Sequence, residues 1–150
     1  MCFHLLGQCF DYQNLTDSWR KIGTPGALRS ESYGIGYNWH RFVEPAGTKL
    51  SNKDIGFEAC GTKRSGWLDG PDPTVVGENK QERVCFSGYP NSSNQYYCRN
   101  YAWIWVTLCK DNSNEKFFVY KLKKPEQSNA AYCAEGEKLT LNDDDNLEDS

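Results

Sequence analysis

The sequence predicts a mainly β fold: a small, disulfide-stapled, β-rich domain with a C-terminal hairpin and little helix. Three observations carry this. Residues 101–122 hold two β-forming runs around a polar turn. Seven cysteines are dispersed over 150 residues, a count that suits an oxidised framework. The apolar share is only 38%, yet 14% of residues are aromatic and glycine occurs 13 times. Large rings then build the core between many turns.

Taken in chain order, residues 10–22 (FDYQNLTDSWRKI) predict one helical turn, capped by Asn14 or Thr16, with Trp19 facing inward. Residues 22–37 read as a loop rich in Gly, Pro and Ser. WHRFVE at 39–44 alternates bulky and polar side chains and reads as a strand ended by Pro45, Ala46 and Gly47. On that strand His40, between Trp39 and Arg41, is expected at a surface position. Residues 60–80 are dominated by turn chemistry, with Trp67 and Leu68 expected to plug the core from a loop.

The run YAWIWVTLC carries Ala102, Ile104, Val106 and Leu108 on one face and Tyr101, Trp103, Trp105 and Thr107 on the other. Both faces are apolar or aromatic, which predicts a strand buried on both sides or lying under a loop layer. KDNSNEK supplies the turn, and FFVYKL resumes with β-formers. Cys109 stands at the end of the first strand, placed to staple it to something distant.

Charge divides the chain. Residues 1–133 hold 16 Lys/Arg against 13 Asp/Glu, whereas residues 134–150 hold seven acids and one Lys. The body is nearly neutral and has no basic stripe, which argues against nucleic acid as a partner. The tail EGEKLTLNDDDNLEDS is too acidic and too poor in aromatics to fold alone. Asp143, Asp144 and Asp145 lack the spaced ligands and turn glycine of an EF-hand loop. No segment approaches the ~18 apolar residues of a membrane span, and the first ten residues do not form a signal peptide. The cysteines nonetheless call for an oxidising compartment, which an N-terminally incomplete chain reconciles.

Metal and enzyme chemistry find little to stand on. No C-x₂₋₄-C pair is present; Cys2, His4 and Cys9 cluster, but no second group completes four ligands. The two histidines, His4 and His40, have no evident catalytic partner, and no nucleophile-elbow motif occurs. The expectation is no cofactor, no metal and no catalysis. Two sequons, Asn14-Leu-Thr16 and Asn91-Ser-Ser93, are candidate glycosylation sites.

One ordered set of segments is more specific. After Cys9 come DYQNLTDSWR, YNWHRF, CGTKRSGWLDGPDP, VVGENKQERVCF, the hairpin strand ending in Cys109, FFVYKL and AAYC. This series resembles the uromodulin-like eight-to-ten-cysteine domain of secreted and cell-surface animal proteins, over about residues 9–134. The resemblance places the cysteine-rich domain at 9–134, with an N-terminal extension at 1–8 before it and a disordered acidic tail at 135–150 after it. Four family cysteines are absent, at the YGIGYN loop, near Asp54, at Tyr97 and at Ser128.

The family pairing then implies bonds Cys9–Cys109, Cys60–Cys133 and Cys85–Cys98, among the fifteen pairings six cysteines allow. Cys2 is left over, outside the module, with an intermolecular bond open to it. The resemblance also implies a secreted or cell-surface module that binds or adheres to an extracellular protein or carbohydrate, with glycan presentation as one route. The family's adhesin-capturing glycan does not carry over, because Lys121 stands where its Asn would be. The rival readings are a structural spacer in a larger extracellular protein, a hydrolase-like or toxin-like effector, and a cytosolic zinc protein.

Overall fold

The computed structural model describes residues 6–31, 35–88 and 98–136. Nine strands are present: β1 Gln13–Leu15, β2 Trp39–Phe42, β3 Lys49–Leu50, β4 Arg64–Asp69, β5 Asn79–Ser87, β6 Cys98–Lys110, β7 Lys116–Lys121, β8 Ala130–Tyr132 and β9 Ala134–Glu135. Helical structure among the described residues is confined to two 3₁₀ turns, Gly7–Cys9 and Ser18–Arg20. The fold is therefore mainly β. Seven strands form one curled sheet in the order β1-β2-β7-β6-β5-β4-β8, and β3 pairs with β9 in a second, two-stranded sheet.

The hairpin lies where the two β-forming runs place it. Strands β6 and β7 pair from Lys110↔Lys116 to Trp105↔Lys121. Asp111 makes the turn by accepting the amides of Ser113 and Glu115 on Oδ1 at 2.8 and 2.9 Å. Asn114 takes a φ of 66° there, a conformation its short polar side chain tolerates better than most.

One face of the large sheet is the dry core. Phe42, Leu68, Val84, Phe86, Ile104, Val106, Tyr120 and Tyr132 are fully or nearly fully buried on it, with Leu50 and Ala134 of the small sheet packed in the same cluster. Ring edges meet ring faces for Phe42 with Tyr120 and for Phe86 with Tyr132, at centroid separations of 5.5 and 5.3 Å, the arrangement the ring quadrupoles favour. Gly66 faces Phe86 across the β4–β5 pair. A Cβ there would come within 2.6 Å of the Phe86 ring, so only glycine leaves room for it.

Four local expectations are corrected. Asn14 lies in β1 rather than at a helix cap; Asp17 caps the Ser18–Arg20 turn, without a side-chain bond. Trp19 is half-buried, and Arg20 is the residue that turns inward. Arg20 goes in because Glu31 meets it: Nη1 and Nη2 donate to the two carboxylate oxygens at 2.6 and 2.8 Å. Trp67 and Leu68 belong to strand β4, with Leu68 in the core and Trp67 on the opposite face. His40 is buried, not at the surface. Its side chain shares a face with Phe42, two residues on.

Candidate functional site

The face of the large sheet opposite the core is divided in two. At one end Cys9 and Tyr12 pack over Cys109, Phe117, Val119 and Trp39. Gln8 Nε2 donates to Thr107 Oγ1 at 3.3 Å, and a disulfide joins Cys9 to Cys109 across a sequence separation of 100. The N-terminal segment is thus the loop layer over this half of β6.

The other half is open. Tyr101 is 58% exposed and Trp103 48%, although the sequence pattern expects both faces of β6 to be covered. The strand registers lay out what surrounds them. One row runs Trp39, Lys121, Trp105, Gln81; the next holds Trp103, Arg83 and Asp69; the third Tyr101, Cys85 and Trp67. Asp69 accepts from Arg83 Nε at 3.1 Å and from its Nη2. The Arg83 guanidinium in turn lies 5.1 Å from the Tyr101 ring centre, within cation–π range. Lys121 Nζ sits 4.6 Å from the ring centre of Tyr37, itself 51% exposed. Trp67 Nε1 donates to Ser87 Oγ at 3.3 Å, which satisfies the buried indole.

Two further disulfides hold this frame. Cys60–Cys133 ties the segment before β4 to the link between β8 and β9, and Cys85–Cys98 ties β5 to β6 beside Tyr101. Cys9, one of the three residues clustered as metal-ligand candidates, is therefore bonded to Cys109. Cys2, His4 and Asn91 lie outside the described residues. Asn14 is exposed on β1, at the edge of the sheet, opposite Arg41 in register.

The remaining titratable groups sit within the scaffold. Among the described residues no group of three or more His, Cys, Asp or Glu is arranged to hold a metal ion. Glu82 Oε2 and Asp72 Oδ1 are buried without a partner among them, and burial pushes the Glu82 carboxyl up from its ordinary value. No described helix is long and apolar enough to cross a membrane.

His40 donates from Nδ1 to the Asn38 carbonyl at 2.8 Å, since a carbonyl only accepts. Burial holds its pKa below the ordinary histidine value, against the pull of the Asn38 bond and the Glu31 charge and with the push of Arg20. Just below about pH 6.5 the unfolded chain then binds a proton that the folded chain refuses. Stability should fall with acidification across that window, with a slope of at most about 1.4 kcal/mol per pH unit from this one proton. Urea unfolding of wild type and His40→Gln between about pH 7.5 and 5.5 checks it: the wild type should lose more stability on acidification than the variant.

Fold and surface together define a class: a disulfide-stapled, curled β-sheet module with a packed inner face and a half-open aromatic outer face. A family model described as the uromodulin-like cysteine-rich domain matches residues 40–134, and the chain belongs to that family. It is 28% identical to uromodulin of Mus musculus over 134 residues, and 26% identical to uromodulin of Rattus norvegicus over the same length. Each alignment covers 85% of this chain but 18% of the relative. The chain thus spans under a fifth of the length of these relatives.

The sequence pattern missed Arg83, Asp69, Gln81, Lys121 and Tyr37 as neighbours of the exposed rings. Only strand order brings them together. The one available signal was the unusual aromatic density of β6.

Proposed function

We propose that this domain is a non-enzymatic, extracellular binding module of a larger protein, and that its binding surface is the open outer face centred on Tyr101 and Trp103. The observation that carries the reading is the exposure of these two rings on a sheet whose reverse side is fully packed. Rigid aromatic side chains with polar neighbours supply much contact area at little entropic cost, which is why they dominate recognition surfaces. Three disulfides suit an oxidising, extracellular compartment.

The cysteine-bounded body at 9–134 is the working unit in this reading, with residues 1–8 as an extension and the acidic residues from 135 as a tail. Packing reaches slightly past both limits, through Gln8 on Thr107 and Glu135 in β9. Asn14 is exposed, so a glycan there, and at Asn91, belongs to the same proposal.

The test uses the full chain, secreted from a mammalian host, multimerised and applied to intact epithelial cells. Wild type should bind, and Tyr101→Ser with Trp103→Ser should reduce binding about tenfold or more, the effect of losing about 1.4 kcal/mol or more at a central contact. Equal binding by the variant would remove this face as the surface. No binding by wild type would favour a spacer role instead. Peptide mass analysis of the same material should show glycan mass on Asn14, and unmodified Asn14 would remove that part of the proposal.

A further inference from the structure

We propose that the occupant of the open face is a carbohydrate carrying a single carboxylate, a terminal sialic acid, seated between Trp103, Trp105 and Lys121. The inference rests on the reading of this face as a binding surface and adds the chemistry of what it takes.

Three features favour a sugar. First, the rings are strung along one strand. Alternate side chains of a strand stand about 6.7 Å apart on the same face, on the scale of successive sugar rings, so Tyr101, Trp103 and Trp105 form a ladder of flat apolar steps. The C–H faces of a pyranose stack on such rings. Second, the neighbouring strands supply groups suited to hydroxyls. Gln81 lies across from Trp105, and the Arg83–Asp69 pair lies across from Trp103. Donors and acceptors held in one layer match the mixed donor–acceptor character of a sugar edge, whereas an apolar peptide would leave them unpaired. Third, this part of the sheet lacks the wide apolar rim expected around the centre of a protein interface.

Charge decides which sugar. Of the ionic groups in these rows, Arg83 and Asp69 neutralise each other, and Lys121 remains. No carboxylate among the described residues forms an ion pair with Lys121, whose ammonium rests on the Tyr37 ring. Arg41, further along the same face, adds a second positive charge, held over Phe117 at 3.8 Å. An excess this small complements one carboxylate. Polysulfated chains require many basic contacts, and the nearly neutral body does not provide a basic cluster.

The full chain is titrated against immobilised sialyllactose and, as its uncharged counterpart, lactose. Sialyllactose should bind at least about tenfold more tightly, and the preference should shrink as salt is raised. Lys121→Gln should bring sialyllactose down to the level of lactose, and Trp103→Ser should abolish binding of both. Sialidase treatment of the epithelial cells should remove most binding of the wild type.

Equal binding of the two sugars, or no binding of either, overturns the proposal. So does full binding to sialidase-treated cells, which would point to a protein ligand. These failures are separable from failure of the underlying reading. If the Tyr101→Ser, Trp103→Ser variant still loses cell binding, the face is a binding surface for something else; if it binds like wild type, the face itself is excluded. Retained thermal stability in each variant shows that the fold is intact, as expected for substitutions at exposed positions.

Discussion

Replacing Cys60 and Cys133 together with alanine is expected to cost about 4 kcal/mol of folding stability. In the chain-entropy account this is the constraint that a 73-residue closure removes from the unfolded state. Both cysteines are fully buried, so lost packing adds to the entropic term. A domain of ordinary stability has only about 5–15 kcal/mol in total, and the variant should be close to unfolding at body temperature.

The position of this bond makes the effect global. It fastens the segment entering β4 to the end of β8, where Cys133 N donates to Gly66 O at 3.0 Å and Ser51 N reaches Cys133 O at 3.5 Å. Strands β4, β8, β9 and β3 all converge there. The control is the double alanine variant at Cys85 and Cys98, whose 13-residue closure is worth about 3 kcal/mol at most. Urea midpoints at constant m would give the order directly. A smaller loss for Cys60/Cys133 than for Cys85/Cys98 would show that loop length does not govern stability here.

The second large effect is expected at Arg20. Its guanidinium and the Glu31 carboxylate have side chains only 4% and 1% exposed. Glu31 Oε2 also accepts the Tyr132 amide at 2.8 Å, and Arg20 Nη1 reaches the Tyr132 carbonyl at 3.3 Å. The pair therefore pins the loop after Trp19 to strand β8. Burial alone would lower the pKa of Arg20, but the bonds to Glu31 and its charge outweigh this, and the value lies above the ordinary one.

Arg20→Ala leaves the Glu31 carboxylate buried without its counter-ion, at a cost of about 3–5 kcal/mol. Arg20→Met with Glu31→Leu removes both charges and should recover a large part of that loss, because the desolvation term disappears with them. Denaturant unfolding of the two variants makes the comparison. If the double variant is no more stable than Arg20→Ala, the uncompensated charge is not the source of the cost.

Much of this architecture was legible in the residues. The hairpin at 101–122 was marked by two β-forming runs around a turn with Asp111 at its head, a local signal that needs no tertiary help. The disposition of His40 was also available in principle. His40 and Phe42 have the same parity on one strand, so burying Phe42 takes His40 with it; the polar character of the imidazole pointed the other way. Trp19 and Arg20 show the opposite limit. Size and hydrophobicity favour burying the tryptophan, and no local rule says that Glu31 waits eleven residues on to neutralise the arginine. Trp67 and Leu68 were hidden by surrounding glycines and prolines, which obscured a strand whose one interior glycine, Gly66, makes room for a ring.

The candidate surface was less legible than the fold. Tyr101 and Trp103 read as buried residues because their alternation matches that of a two-sided core strand. Whether a layer covers them depends on how far the N-terminal segment reaches along β6. Its reach is set by the Cys9–Cys109 bond and ends near Thr107. The cysteine spacing left fifteen pairings open, and family resemblance, not spacing, distinguished one of them.

By itself, then, the sequence determined the β character, the hairpin, the aromatic core and the oxidised, nearly neutral body. All of these follow from short-range periodicity, turn chemistry and composition. The tertiary structure alone decided strand order, the buried Arg20–Glu31 pair, and the meeting of Tyr37, Arg83, Asp69 and Lys121 around the open rings. Those contacts join residues far apart in the chain, and their energies depend on which face each neighbour covers, a quantity no local pattern contains.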